Sequence, residues 1–191
     1  MAIDVLDLTT VAAVKLLTGA ASADDTNTQT LITKASVWAN NHTSRILAQQ
    51  TFTEIYDGDG SVTLFLKNYP ISSITTIHQD STRVFGVDTL VASTDYFTYA
   101  ENRKLIGDGV VWERGRQTIK VVYIAGYAIG SIPEDLVNAV TMLVDFWGKE
   151  YSAHRFGVTS TGSETNRITY EKNIPVEIKE MLNPYKKKVI F

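Results

Sequence analysis

The sequence has no cysteine, which excludes disulfide staples, zinc-thiolate centres and thiol nucleophiles together. It has little net charge, formally -3 from 18 basic and 21 acidic residues. A chain so near neutrality lacks the overall basic footprint that drives non-specific nucleic-acid binding, so contact with DNA is expected to be local or repulsive. No apolar run approaches the ~20 residues needed to span a bilayer. The opening MAIDVLDLTTVAAVKLL has no positive flank and is broken by Asp4 and Asp7, a poor secretion signal. These gaps leave a cytoplasmic or virion protein as the simplest reading.

Chemistry is also missing. His42, His78 and His154 are far apart and in no HExxH spacing, so no metal site can be argued. No GxSxG, Walker or dinucleotide fingerprint occurs. The acid pairs Asp24-Asp25 and Glu134-Asp135 stand at helix starts, where capping explains them better than acid-base catalysis. Asp57-Gly58-Asp59-Gly60-Ser61 superficially resembles a calcium loop, but Val62 stands where that loop needs glycine and Asn68 where it needs an acid. No enzyme, cofactor or membrane association is expected.

What is present suits one soluble domain with a packed core: 191 residues, 44% hydrophobic and 20% charged. The four prolines mark boundaries. Pro70 ends a strand, Pro133 and Pro175 sit where a first helical turn tolerates them, and Pro184 closes a helix. A single domain over 1–191 is expected, divided into a helix pair (1–50), a β lobe (51–127), a central helix (131–151), a polar loop (152–174), a short helix (175–183) and a tail (184–191).

In the helix pair, Val11, Val14 and Leu17 share one side of a short helix capped by Asp7 or Thr9. A longer helix over 25–47 repeats Leu31, Ala35, Trp38 or Ala39, His42 and Ile46 at helical spacing. The β lobe opens on TFTEIYDGDGSVTLFLKNYPISSITTI, from Thr51 to Ile77. Here Val62, Leu64 and Leu66 alternate with Thr63, Phe65 and Lys67, and Asp57-Gly58-Asp59-Gly60 accepts positive φ, which predicts a β-hairpin and then a third strand. Gln117 to Ala125 is the strongest strand outside this stretch. In the central helix, Ser131 with Glu134 fits a capping box. From Leu136 to Trp147 only Asn138, Thr141 and Asp145 interrupt the apolar residues, as a narrow polar stripe. The segment SAHRFGVTSTGSETNRITYEKN strands Phe156 and Val158 in polar sequence. The chain ends on Tyr185, Lys186, Lys187, Lys188, Val189, Ile190 and Phe191, three lysines running into three apolar residues.

The order and spacing of YDGDG, TLFLKNYPI and ISSITTI, set between a helix pair and the IPEDL helix, resembles the head-to-tail connector (adaptor) proteins of tailed bacteriophages, over roughly Val5 to Tyr185. The resemblance implies a structural virion protein at the neck. It would form a homo-oligomeric ring, typically a dodecamer, beneath the portal protein, extending the DNA channel and joining head to neck or tail. DNA would pass through the lumen without specific binding. The expected fold is α+β: a helical bundle, built from the helix pair and the long central helix, with a small antiparallel β lobe, a long polar loop and an extended tail. Residues 185–191 are the candidate portal contact, and Asn138, Thr141 and Asp145 the candidate channel lining. Asp57, Gly58, Asp59 and Gly60, with Phe156 and Val158, are candidates for touching a neighbour or the next neck or tail protein. The alternatives are a neck stopper or tail-completion subunit, or a glycan-binding β module using Tyr96, Phe97 and Tyr99.

Overall fold

The computed structural model describes residues 6–18, 25–153, 160–161, 168–169 and 173–187. The chain divides into two compact units, one of residues 1–45 and 129–191, the other of residues 46–128.

The first unit is helical. Its helices are α1 (Val11–Thr18), α2 (Asp25–Thr43), α3 (Glu134–Ser152) and α4 (Val176–Leu182), and α3 touches the other three. Thr10 caps α1 through its side-chain oxygen, which accepts the Ala13 N–H at 3.2 Å. The expected caps are used otherwise. Asp7 accepts a hydrogen bond from Gln29 at 2.5 Å, and the Thr9 hydroxyl meets that of Thr141 at 3.0 Å. The buried stripe of α2 is Ile32, Ala35, Ser36, Ala39 and Thr43, so Ala35 and Ala39 of the expected stripe are in it, and Leu31 and His42 each stand one residue out of phase. The helix stops at Thr43 rather than continuing to Leu47. Ser44 turns to a left-handed φ of 54°, and the Arg45 N–H returns to the Asn40 carbonyl at 3.1 Å, the closing bond of a Schellman motif. α3 starts at Pro133 without a side-chain cap, so the Ser131–Glu134 capping box does not form. Leu136, Ala139, Val140, Leu143 and Val144 of α3 are buried, each large side chain contributing roughly 1.5 to 3 kcal/mol. No helix among the described residues is long and apolar enough to cross a membrane.

The second unit is strands and loops with one 3-10 turn at Val87–Thr89. One antiparallel sheet has the order β1 (Gln50–Gly58), β6 (Gly115–Ala125), β3 (Ile71–Gln79); the other has the order β2 (Thr63–Phe65), β5 (Lys104–Gly107), β4 (Tyr96–Tyr99). A short pair, β7 (Ser160–Thr161) with β8 (Ile168–Thr169), belongs to the first unit. Phe52, Tyr56, Leu64, Leu66, Ile77, Leu105, Trp112, Ile119, Val121 and Tyr123 form the core of the β unit. Inside it, Glu54 accepts hydrogen bonds from the hydroxyls of Tyr56 and, at 2.6 Å, Tyr123. Those hydroxyl oxygens accept in turn the backbone N–H groups of Lys67 at 3.0 Å and Asn68 at 3.2 Å. Burial, reinforced by the bond to Glu54, pushes the Tyr123 hydroxyl up to about 12.

Two expectations are corrected. The architecture is not a helical bundle carrying a small β lobe; among the described residues it is mixed α+β, with four α-helices and two antiparallel three-stranded sheets, the sheets forming a unit that has its own core. The segment around Asp57–Gly60 is not a hairpin either, because β1 pairs with β6 whereas β2 pairs with β5 in the other sheet. It is a corner between sheets, strapped to the Trp112 segment: Gly60 N donates to Trp112 O, Trp112 N to Ser61 O, and the Trp112 indole to Val62 O, at 2.9, 2.9 and 3.0 Å. Alternation along a strand states which faces it has, and says nothing of which strand it pairs with.

This corner makes a prediction about its glycines. A Cβ at Gly58 would lie 1.8 Å from the Glu113 carbonyl oxygen, whereas one at Gly60 would meet nothing closer than 3.9 Å and only the strain of φ +86°. Gly60→Ala should therefore cost about 1–2 kcal/mol, and Gly58→Ala should prevent the unit from forming its native sheet, as read by thermal unfolding and circular dichroism. A free hairpin tip would give the reverse order.

Candidate functional site

The outward face of the β2–β5–β4 sheet is the candidate site, and the pleat builds it. Leu64 and Leu105 pair across the sheet and point into the core, both buried. Their neighbours must therefore point out. Phe65 lies across from Lys104, which lies across from Tyr99; Thr63 lies across from Ile106, which lies across from Phe97. Phe65, Phe97 and Tyr99 remain 42%, 57% and 44% exposed, and the Lys104 ammonium sits 4.8 Å from the centroid of the Tyr99 ring. Tyr96 lies across from Gly107 with the inward parity and packs against the core; burial raises its pKa. Of the expected trio, then, Phe97 and Tyr99 share this face and Tyr96 does not. Phe65 is the third ring, missed by the sequence reading although its opposite parity to Leu64 and Leu66 was visible there.

The other candidate residues are scattered. Asn138 is exposed, Asp145 is half-buried and paired with Lys149 at 2.6 Å, and Thr141 is 2% exposed. The Thr141 hydroxyl donates to the Val137 carbonyl at 2.8 Å and meets Thr9, so of this stripe Asn138 and Asp145 present surface. At the corner, Gly58 is buried, while the exposed Asp57 and Asp59 accept the Gln117 and Ser61 N–H groups at 2.7 and 2.8 Å. Tyr185 roots the tail, its hydroxyl donating to Asp135 at 2.5 Å and its carbonyl accepting from Arg45 at 3.0 Å; Lys187 N donates to Thr43 O at 2.9 Å. Lys188, Val189, Ile190, Phe191, Phe156 and Val158 lie outside the described residues. His42 stacks on Trp38 at 5.0 Å, and burial, with Lys186 nearby, lowers its pKa. Among the described residues no group of three or more His, Asp or Glu side chains is placed to hold a metal ion.

The family model for head completion proteins matches residues 7–188. The chain belongs to the head completion protein family. The resemblance to phage head-to-tail connectors is thereby borne out, and this is a structural protein of a phage-like virion. No curated protein sequence matches it closely enough to stand as a relative. Among solved structures it is similar to a chain described as "Neck of empty GTA particle computed with C6 symmetry", with a TM-score of 0.65 and 16% identity over 100% of this chain and 95% of that one. A second, "Neck of native GTA particle computed with C12 symmetry", gives 0.64 and 16% over 100% and 94%. A third, from the "Virion of native gene transfer agent (GTA) particle", gives 0.61 and 15% over 100% and 95%. At that identity the likeness is one of fold.

The aromatic face is one exposed apolar surface of the β unit. A second is the loop after β3. Both oxygens of Asp80 are occupied: one accepts the Thr82 N–H and hydroxyl, each at 2.7 Å, and the other accepts the Val84 and Phe85 N–H groups, each at 2.9 Å. Arg83 and Phe85 are held at φ 63° and 56°, in the left-handed region that side chains other than glycine seldom enter. The Thr82 hydroxyl and the Phe85 N–H are the main reasons Asp80 titrates at about 2.

The sign of that effect follows from linkage. A depressed carboxylate stabilises the fold above its unfolded pKa, ~3.9, and the stabilisation is lost as pH falls through the folded value. The amide resonances of Thr82, Val84 and Phe85 should therefore titrate together with a midpoint at about 2. A midpoint in the ordinary carboxylate range would contradict this cradle.

Proposed function

We propose that this head completion protein is a ring-forming subunit of the neck of a tailed phage-like particle, set beneath the portal, where it extends the DNA channel and joins the head to the neck or tail. The observation that carries the reading is the fold likeness over the whole chain to subunits of a gene-transfer-agent neck computed with C6 and C12 symmetry. A subunit repeated about a cyclic axis needs contact surface on more than one side. The exposed Phe65, Phe97 and Tyr99 supply such surface, three rings on one face of one sheet rather than singly scattered apolar residues. The near-neutral charge suits a channel through which DNA slides without being held.

Within that reading, the tail beyond Tyr185 reaches the portal, its lysines meeting an acidic rim and Val189, Ile190 and Phe191 an apolar pocket or sheet edge. Tyr185 itself serves as the root, since both its hydroxyl and its carbonyl are engaged within the helical unit. Asn138 and Asp145 are the members of the polar stripe with surface to offer to a lumen. Asp57 and Asp59 at the corner, with Phe156 and Val158 in the polar segment, are offered to a neighbouring subunit or to the next neck component.

Removal of residues 188–191 should abolish attachment to portal-bearing heads while leaving the melting temperature unchanged, because the bonds of Tyr185 and Lys187 to the helical unit are retained. Undiminished attachment would remove the tail from the portal contact. Electron microscopy of the assembled neck should show this chain as a closed ring, and a single off-axis copy would overturn the reading.

A further inference from the structure

The loop after β3 carries more apolar surface than its own unit uses. Val84 is 79% exposed and Val87 is 85% exposed, yet the backbone that presents them is among the most heavily braced in the chain. Besides the four bonds to Asp80, the Thr89 hydroxyl donates to the Gly86 carbonyl at 2.7 Å, and the His78 ring nitrogen lies 3.2 Å from that carbonyl and 3.3 Å from the Thr89 oxygen. Val91 N returns to Ile77 O at 2.8 Å, and Lys120 sits 5.7 Å from the centroid of the Phe85 ring. Exposed valines on a loop held in strained backbone geometry are the arrangement of a preformed binding element, because the ordering cost is met before any partner arrives.

The helical unit holds a cleft that fits such an element. It lies between α2 and α3, has a volume of about 640 Å³, and is lined by Leu31, Trp147 and the 68% exposed Tyr151, with Lys34 beside them. Opposite charges are available on the two elements. The loop carries exposed Arg83 before Val84 and exposed Asp88 after Val87; the cleft carries Lys34 on α2, and Glu150 stands beside Tyr151 on α3.

We propose that the Val84–Val87 loop of one copy seats in the α2–α3 cleft of the next, with Asp88 meeting Lys34 and Arg83 meeting Glu150. The occupant is a second copy of this chain. The contact is heterologous, loop to cleft, and so passes from each copy to the next around a ring. This deepens the ring reading and rests on it.

The absence of native cysteine makes the test clean, since an introduced pair has no other thiol to react with. In the full chain carrying Val87→Cys and Tyr151→Cys, mild oxidation of assembled particles should give a ladder of covalently linked copies, and neither single variant should give one. Separately, Asp88→Lys should weaken self-association about a hundred-fold, and Lys34→Asp in the same chain should recover it to within about tenfold, each tenfold step being about 1.4 kcal/mol. Both positions are exposed, and thermal melts matching the wild type would show that the fold is intact. Rings that persist without a ladder, or without any response to the charge reversals, would overturn the loop-to-cleft contact while leaving the ring reading in place. A wild-type particle imaged without a ring of this chain would overturn both.

Discussion

The β unit depends on one strand. β6 is hydrogen-bonded along both edges, to β1 and to β3, and its inward residues Ile119, Val121, Tyr123 and Ala125 are all fully buried. Both partners lie far back in sequence, Gln50 opposite Ala125 and Ile77 opposite Val121. Neither half of this sheet can close until the whole segment has been made, so the unit is dominated by non-local contacts and should be the slower part of the chain to fold. The Glu54 carboxylate sits across this pairing. By accepting hydrogen bonds from the hydroxyls of Tyr56 and Tyr123 it turns their oxygens toward the Lys67 and Asn68 amides, so one side chain ties together β1, β6 and the segment that leaves β2. A half-buried carboxylate beside aromatic rings is tolerable when its partners are satisfied, and here the strand pairing brings them to it.

How much of this could be read in advance follows from what each signal physically encodes. Periodicity reports which residues share a face, and it placed α3 and β6 well. The hydrophobic run after Pro133 is the clearest case, since burial of Leu136, Ala139, Val140, Leu143 and Val144 follows directly from helical spacing. Periodicity does not report partners. The glycine-rich Asp57–Gly60 segment sits between two alternating stretches, so a local hairpin was the natural reading; β2 pairs instead with β5, a four-residue strand with almost no signal of its own. Polar residues on a mostly apolar helix misled in a related way. Thr141 looked like part of a solvent stripe, but a threonine can satisfy its hydroxyl on its own helix backbone and a neighbouring side chain and then be buried. The rigidity of the loop after β3 was beyond reach for a different reason. Its cause is one carboxylate oriented by a strand end, and nothing in QDSTRVF states that both oxygens of Asp80 would be taken.

The two exposed apolar surfaces of the β unit are of different physical kinds. The Phe65, Phe97 and Tyr99 face is broad and shallow, carried on strands, and able to meet any partner that presents a flat apolar area. The loop is narrow and stiff. Large flat faces contribute area, whereas stiff protrusions contribute selectivity, because a rigid shape that does not fit cannot adapt. Under the proposed ring, the stiff element serves self-recognition, and the broad face adds contact area to a neighbouring copy or another component.

A symmetry argument limits what these surfaces can build. An isologous dimer requires one patch that is complementary to itself, and a valine-tipped loop is not complementary to another valine-tipped loop. A protrusion on one unit and a cleft on the other instead repeat head to tail, and such a contact either closes into a ring or runs on as a filament, depending only on the angle each step turns. Small changes of that angle alter the number of copies without altering any contact residue. Stiffness in the loop is therefore more than a means to affinity. In the proposed contact Asp80, by fixing the direction in which Val84 and Val87 leave the sheet, would also narrow the spread of angles from one copy to the next, and a narrow spread is what separates a closed ring of defined size from an open chain.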